Sequence, residues 1–525
     1  GVNITVKGTT VGTVTDIDGT YSIEASTGQT LVFSYIGYAT QEVEVQAQNT
    51  IDVYLQQGEQ LQEVVVTALG ISREKKALGY AVQEVGGESL VATRQPNIVN
   101  ALQGQVAGVQ INSSGGGPGE SARIIIRGAT SLDPSADNQP LFIVDGIPVN
   151  NQTITAGSYG RNLSNRIADI NPDDIENITI LKGGAASALY GLRAANGAVV
   201  ITTKKGQAGK LTVDFSTTYS IEEVNKFPET QRVYTQGFNG EYDPNSFWPT
   251  WGSTVAEARQ IDPNHPETIF NNFENAYQQG DQLRTSLSMS GGSEKATFRS
   301  SLSYQTQDGV LPFSNYENIS ARVSGQFQAS EKFTFGGTAS YTNSGGDRVL
   351  AESFNERLVY WAPRVDVTDY EKPDGTMKGY RNDGNIGNNP IYGAKTNKYT
   401  DDVDRILGSF NFNFTPWKWV SLNYRVGLDQ YLDSRANTGP GPRGVQNENI
   451  FEDNGDGFVN AIRIRSNELT SNLNATFNIM NSEAFGVQLL VGHDIYERNY
   501  NRVSTFGRDL DIYNLFNLNN AAIIT

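Results

Sequence analysis

From about residue 210 the chain repeats one pattern nine times: apolar and polar residues alternate through runs of about ten. Leu283, Leu287 and Met289 alternate with Arg284, Ser286, Ser288 and Ser290. Ile319, Ala321, Val323 and Phe327 alternate with Ser320, Arg322, Ser324 and Gln326. Phe333, Phe335, Ala339 and Tyr341 alternate with Thr334, Thr338, Ser340 and Thr342. A period of two places one face of a strand in an apolar medium and the other in a wet one. Strands of an ordinary sandwich are shorter, whereas about ten residues is what a tilted strand needs to cross a bilayer. The pattern predicts the wall of a membrane β-barrel.

Strands are expected near residues 211–219, 283–290, 296–306, 318–328, 333–342, 405–415, 420–430, 468–479 and 485–496. The connections at 291–295, 329–332, 416–419 and 480–484 are short, while those after the first, fifth and seventh strands run to tens of residues. Short turns on one side and long loops on the other mark outer-membrane barrels, with the turns periplasmic and the loops extracellular. Trp417 and Trp419, beside a short turn, read as part of an interfacial aromatic girdle. Bacterial single-chain barrels close with an even number of strands, so nine implies that this sequence holds less than a full barrel.

Ahead of the wall the patterning changes. Residues 1–57 carry short β-prone runs (2–6, 21–23, 30–35, 41–45, 51–55) split by Gly and Asp turns, which predicts a small β-sandwich. About 55 residues is marginal for such a core, and Gly1-Val2-Asn3-Ile4 reads as the inside of a strand, so a preceding segment is expected. Residues 58–79 form a linker containing Glu63, Val64, Val65, Val66, Thr67 and Ala68, a β-prone hexapeptide. Such a segment either pairs within its own chain or offers its edge to a partner. Residues 80–208 form an α/β domain, with a helix start at Ile98, strands at 124–128, 141–146, 175–181 and 198–203, and a short helix 185–190 ended by Gly191. Residues 209–525 are the barrel part.

Composition narrows the function. With 57 Asp+Glu against 40 Lys+Arg the chain lacks the basic footprint nucleic acid needs. It contains no cysteine, hence no disulfide framework and no thiolate metal site. No run of about 20 apolar residues is present, so no helix crosses a membrane. Two histidines without an H-E-x-x-H or G-x-S-x-G arrangement give no support to an enzyme.

The chain resembles the SusC/RagA class of TonB-dependent outer-membrane transporters of Bacteroidetes. The resemblance rests on the order and spacing of many motifs: 101–109 (Ala-Leu-Gln-Gly-Gln-Val-Ala-Gly-Val), Ile126-Arg127-Gly128, 140–148 around Asp145-Gly146, Asn171-Pro172-Asp173-Asp174-Ile175-Glu176, 181–191 and 195–203. It implies that 1–57 is a carboxypeptidase-regulatory-like domain, that Glu63–Ala68 is the TonB box, that 80–208 is a plug, and that the wall is the first part of a 22-stranded barrel. It further implies a SusD-like lipoprotein partner, the TonB–ExbB–ExbD energy-transducing complex, contact with outer-membrane lipid, a nutrient oligomer as cargo, and a dimer of transporter–lipoprotein pairs. The expected location is the outer membrane, with plug and N-terminal domain on the periplasmic side. Active import of a glycan or oligopeptide is the implied function; a surface receptor that binds ligand without transport is the alternative.

Arg127, Asp145, Glu176, Lys182 and Arg193 are the candidate plug–barrel contacts, since a plug in a polar lumen can hold its charges against the wall; solvated or internal charges are the competing reading. The loop aromatics Tyr242, Trp248, Trp251 and Trp361 either stack on substrate or pack the loops and a lid. No cofactor is expected, except that Glu452, Asn454 and Asp456 partly fit a calcium loop, against a plain Asp/Asn/Gly turn.

Overall fold

The computed structural model describes the chain except residues 1, 8, 10, 17, 36, 37, 39, 47–49, 56–63, 67–71, 75–81, 94, 96, 114–116, 134–136, 152–162, 381–388, 441–456 and 482–484. It divides into two compact units, Gly1–Ala81 and Val82–Thr525.

The first unit holds a four-stranded antiparallel sheet of β1 (Asn3–Val6), β2 (Gly12–Val14), β3 (Thr30–Ser34) and β4 (Gln41–Glu44), in the order β2-β1-β3-β4. Alternation on β1 and β3 buries Ile4, Val6, Leu31 and Phe33 on one face. The runs at 21–23 and 51–55 form no strands; they cover that face as extended chain, with Tyr21, Ile23, Ile51 and Val53 packed on it and Tyr21 Oη donating to the Ile51 carbonyl at 2.8 Å. Among the described residues the expected sandwich therefore has one sheet rather than two. Further along, β5 (Val64–Val66) pairs antiparallel with β6 (Ser72–Glu74).

The second unit begins with a mixed sheet. Its strands are β7 (Val82–Gly86), β10 (Leu141–Val144), β11 (Ile147–Val149), β12 (Ile175–Leu181) and β13 (Ala198–Thr203), in the order β11-β10-β13-β12-β7. A separate ladder joins β8 (Val109–Ser113) to β9 (Ala122–Ile126). Helices α1 (Gly87–Ala92), α2 (Ile98–Ala101) and α3 (Gly184–Tyr190) fill the connections. Asn97 caps α2 by accepting from the Val99 N–H, and Gly191 at φ 71° ends α3. β12 and β13 are largely buried on both faces: Ile178, Ile180, Val199 and Ile201 lie within one core with Leu90, Ile98, Ile124 and Phe142.

The wall is a ten-stranded antiparallel sheet. It runs in sequence order through β14 (Gly209–Glu222), β17 (Gly280–Gly292), β18 (Ala296–Asp308), β19 (Asn315–Ser330), β20 (Phe333–Arg348), β21 (Lys398–Trp417), β22 (Val420–Gly439), β23 (Phe458–Asn481), β24 (Gly486–Leu510) and β25 (Ala521–Ile524). Each of the nine expected runs coincides with a wall strand, but the described residues give ten: β25 is four residues long and too short to show a period, so the odd count expected from the sequence, and the parity inference built on it, do not hold. The strands also outrun the predicted runs, β24 reaching 25 residues. Alternation reports contrast between two media and stops at the edge of the apolar band, whereas backbone pairing continues beyond it.

The faces are inverted relative to a water-soluble sheet. On β19 the serines 320 and 324 and Arg322 are buried, while Ile319, Val323 and Phe327 are exposed. On β17, Ser286 and Ser288 are buried and Leu283 and Met289 exposed. Near the short turns the outer face is aromatic: Phe327 and Phe335 lie 5.3 Å apart, and Trp417 stacks on Trp419 at 5.9 Å. Near the long loops Asp308, Glu317 and Asp402 take over that face. The first long loop contains the hairpin β15 (Gly237–Phe238) and β16 (Glu241–Tyr242) with α4 (Val255–Ile261) and α5 (Asn272–Asn275); the loop after β20 contains α6 (Ala351–Tyr360) and α7 (Pro390–Thr396).

Candidate functional site: the plug held by the wall

Five consecutive wall strands each aim one arginine at the α/β domain. Arg284 of β17 donates to Asn171 Oδ1 at 2.7 Å and Asp173 Oδ2 at 3.0 Å. Arg299 of β18 meets Asp174 Oδ1 at 3.5 Å, and the neighbouring Ser301 hydroxyl donates to Asp174 Oδ2 at 2.8 Å. Arg322 of β19 donates to Asp145 Oδ2 at 2.7 Å and to Thr203 Oγ1 at 2.6 Å. Arg348 of β20 donates to the Pro118 carbonyl and to Ser164 Oγ at 3.3 Å, and lies over the Tyr316 ring at 5.1 Å. Arg405 of β21 meets Asp169 Oδ2 at 3.3 Å and grips Asp429 of β22 through Nε at 2.8 Å and Nη2 at 2.9 Å. The contacts continue onto the last strands: Asn150 donates to Asp429 and, at 3.2 Å, to Glu468 of β23, and Arg193 stacks over Tyr496 of β24 at 3.8 Å. Eight strands in a row thus reach one domain, so the sheet wraps around it.

Local sequence sets these contacts. Inward positions alternate with lipid-facing ones, so an arginine in phase with Ser286, Ser320 or Ser324 must face the enclosed domain. On the domain side, Asn171-Pro172 opens a short turn whose cap, the Asn171 side chain, accepts from the Asp173 N–H and leaves both aspartates beside the start of β12. Asp145-Gly146 is the two-residue turn between β10 and β11, with φ 50° and 84°, the conformation Asp-Gly favours in tight hairpins. In it Asp145 accepts from the Thr203 N–H at 3.0 Å and Thr203 Oγ1 at 2.7 Å as well as from Arg322.

Shape adds to charge. A Cβ at Gly146 would lie 1.8 Å from Arg425 Nη1 of β22, and one at Gly427 would lie 2.3 Å from Ile147 Cδ1. Gly119 (φ 60°) abuts the Tyr316 ring of β19 in the same way. A cavity between the domain and β19–β21 is lined by Asp169, Asp174, Arg322 and Arg405 together with Val144, Ile170 and Leu407, so charged and apolar side chains share this interface.

The five charges singled out from sequence fare differently. Asp145 and Arg193 touch the wall. Lys182 instead serves the domain itself, donating to the Ala107 carbonyl at 2.7 Å and Gln83 Oε1 at 3.3 Å, because β12 ends beside the turn before β8. Arg127 and Glu176 are exposed, Arg127 in a left-handed turn at φ 60°. Asp169, Asp173 and Asp174 and the wall arginines were not among the sequence candidates; the signal available was an arginine on the polar phase of a wall strand.

The long loops form a folded layer of their own. Phe354, Leu358, Trp361, Val367, Tyr380 and Ile391 make its core. Trp361 is buried, its indole N–H on the Val365 carbonyl at 2.9 Å and its ring edge-on to Tyr380 at 5.1 Å, so it packs the loop and presents nothing to a ligand. Tyr242 is likewise structural: it donates to Asp262 at 2.9 Å, packs edge-on against His265 at 5.4 Å, and burial pushes its hydroxyl up to about 12. Trp248 and Trp251 are exposed, at 44% and 66%. Arg364 joins the two loops through Gln236 Oε1 at 2.8 Å and the Tyr380 carbonyl at 2.7 Å. Glu452, Asn454 and Asp456, and Glu63, Thr67 and Ala68 of the linker hexapeptide, lie outside the described residues.

Residues 74–198 match the TonB-dependent Receptor Plug Domain family, and residues 1–66 match the CarboxypepD_reg-like domain. TonB-dependent receptor P39 of Formosa agariphila is 33% identical over 91% of this chain and 43% of its own length. TonB-dependent receptor SusC of Bacteroides thetaiotaomicron is 30% identical over 87% of this chain and 45% of its own. This chain belongs to the SusC/RagA class of TonB-dependent receptors. It spans less than half the length of these two relatives. In fold it is similar to the RagAB peptide importer in the open-open state, with a TM-score of 0.68 and 21% identity over 88% of this chain and 53% of that one. The domain enclosed by the wall is therefore the plug.

Proposed function

We propose that the protein imports a large nutrient, a glycan or an oligopeptide, across the outer membrane with a SusD-like surface lipoprotein, driven by the TonB–ExbB–ExbD complex. The observation that carries this reading is a folded plug clamped inside an outwardly apolar wall by charged side chains. Breaking a buried pair so that one charge stays unpaired costs about 3–5 kcal/mol, and several such pairs hold the plug, so thermal motion alone opens the passage rarely. An external pull removes that barrier. The relatives' greater length leaves room for the remaining strands of a 22-stranded wall, with the short turns facing the periplasm.

The pull enters at Glu63–Ala68. Within it β5 has one neighbour, β6, among the described residues, which leaves its other edge for an added strand of TonB. Deleting residues 63–68 from the full-length receptor is expected to abolish uptake of its nutrient while ligand binding at the surface persists. Undiminished growth of that mutant on the nutrient refutes the transport reading and favours a receptor that binds without import.

A further inference from the structure

We propose that a pull on the chain ahead of β7 reaches the wall through β12 and releases the 171–174 turn, Asn171 and Asp173 from Arg284 and Asp174 from Arg299 and Ser301, before any plug–wall contact outside that turn gives way. The inference rests on the reading that force arrives from the linker side.

Three features define the route. Among the described residues β7 is the edge strand of the plug sheet, with β12 as its one neighbour. The ladder is antiparallel, Val82 opposite Leu181 and Gly86 opposite Asn177. The entry point, Val82, therefore sits at one end of the ladder, and the wall anchors, Asp173 and Asp174, immediately precede Ile175 at the other. A ladder loaded from opposite ends carries the load on its hydrogen bonds together, whereas one loaded at a single end opens bond by bond. Gly87 closes the far corner: a Cβ there would stand 2.0 Å from the Ile175 carbonyl oxygen. The end of β7 is thus seated directly on the residue after Asp174, and displacement of β7 bears on the start of β12.

The other anchors lie off this route. Asp145 sits in the β10–β11 turn, and β13 stands between β12 and β10 in the sheet. Asp169 is shared among Arg405, Arg166 at 3.4 Å and Ser344 at 3.0 Å, and both its side chain and that of Arg405 are almost wholly buried. Its release needs several bonds to break at once. Arg284 and Asp173 are the more exposed pair, at 11% and 19%.

The test pulls the full-length receptor in a bilayer by a handle attached in the linker just ahead of β7 in magnetic tweezers, so that the first unit carries no load, with the wall anchored through an extracellular loop and no TonB present. The first step at constant force is expected to be a displacement of the plug. It is expected to occur at least about tenfold faster in Asp173→Asn/Asp174→Asn, with Asp145→Asn within about twofold of the parent; that tenfold corresponds to about 1.4 kcal/mol. Arg284→Gln/Arg299→Gln removes the same two ion pairs from the wall side, and is read in place of the aspartate variant if the latter fails to fold. Gly87→Ala is expected to uncouple the corner, so that the first step becomes insensitive to both pairs. A first step that in the parent is only the gain of roughly 18 Å from peeling five residues of β7, or equal acceleration by Asp145→Asn, overturns the proposal. Because no TonB takes part, failure of the transport reading leaves this measurement untouched.

Discussion

Arg322→Ala isolates one plug–wall contact whose worth can be worked from its surroundings. Arg322 and Asp145 are 9% and 10% exposed, so solvent screens the pair little. Removing the arginine leaves a buried carboxylate, yet Asp145 keeps the Thr203 N–H and hydroxyl donors. The cost should therefore fall at the low end of the range for breaking a buried pair, about 3 kcal/mol. That is somewhat over a hundredfold in the equilibrium between docked and undocked plug. Asp145→Asn leaves the opposite orphan, and asparagine tolerates the left-handed backbone there, so the loss is electrostatic rather than conformational. Combining Arg322→Ala with Asp145→Asn leaves neither charge and should recover much of the loss, a coupling expected of residues in direct contact. The assay is amide hydrogen exchange of β10, β11 and β13 in the full-length receptor in micelles. Exchange within about twofold of the parent in Arg322→Ala, or simple addition of the two single losses in the double variant, refutes the reasoning.

Other outcomes follow from the same contacts. Gly146→Ala sets a methyl against Arg425 at a backbone of φ 84° and should undock the β10–β11 hairpin, seen as faster exchange there; parental protection contradicts the close approach. Trp361→Ala should cost the loop layer about 3–5 kcal/mol, read as rapid proteolysis within 351–396, whereas Trp251→Ala should change stability by no more than about 0.5 kcal/mol. His265 is held neutral, its Nδ1–H on the Pro266 carbonyl and its Nε2 accepting from Thr235, and burial lowers its pKa below the ordinary 6.5. Its contribution is thus present above 6.5 and lost as pH falls through that value toward the folded pKa; loop proteolysis should rise on acidification in the parent, and His265→Gln should remove that slope.

Much of the wall could be read from one dimension. Leu283, Val323 and Phe327 faced an apolar medium by period alone, and their exposure on the outer face follows directly. Strand lengths were underestimated because the upper part of β24, around Asn499 and Arg502, is polar on both faces and carries no contrast. The tandem helices α6 and α7 inside a predicted loop escaped for a related reason: their apolar face packs on a neighbouring loop, and each is too short for its period to stand out. Among candidate contacts, Asp145 and Arg193 were legible because they sit in recognisable turns. Lys182 was misplaced because a motif fixes where a residue lies along a strand but not which neighbour its long side chain reaches.

The order of residues settled what each stretch could become, since alternation, turn chemistry and glycine placement act over a few neighbours and need no distant partner: a two-faced wall, an α/β plug, a hexapeptide apt for an edge. Only the folded chain settled which charges meet. Arg322 and Asp145 are 177 residues apart and Arg405 and Asp169 are 236 apart, so their pairing depends on how far the wall curls around the plug and at what height each strand presents its inward side chains. Those are properties of the assembled sheet, set by register across eight strands at once, and no local pattern encodes them.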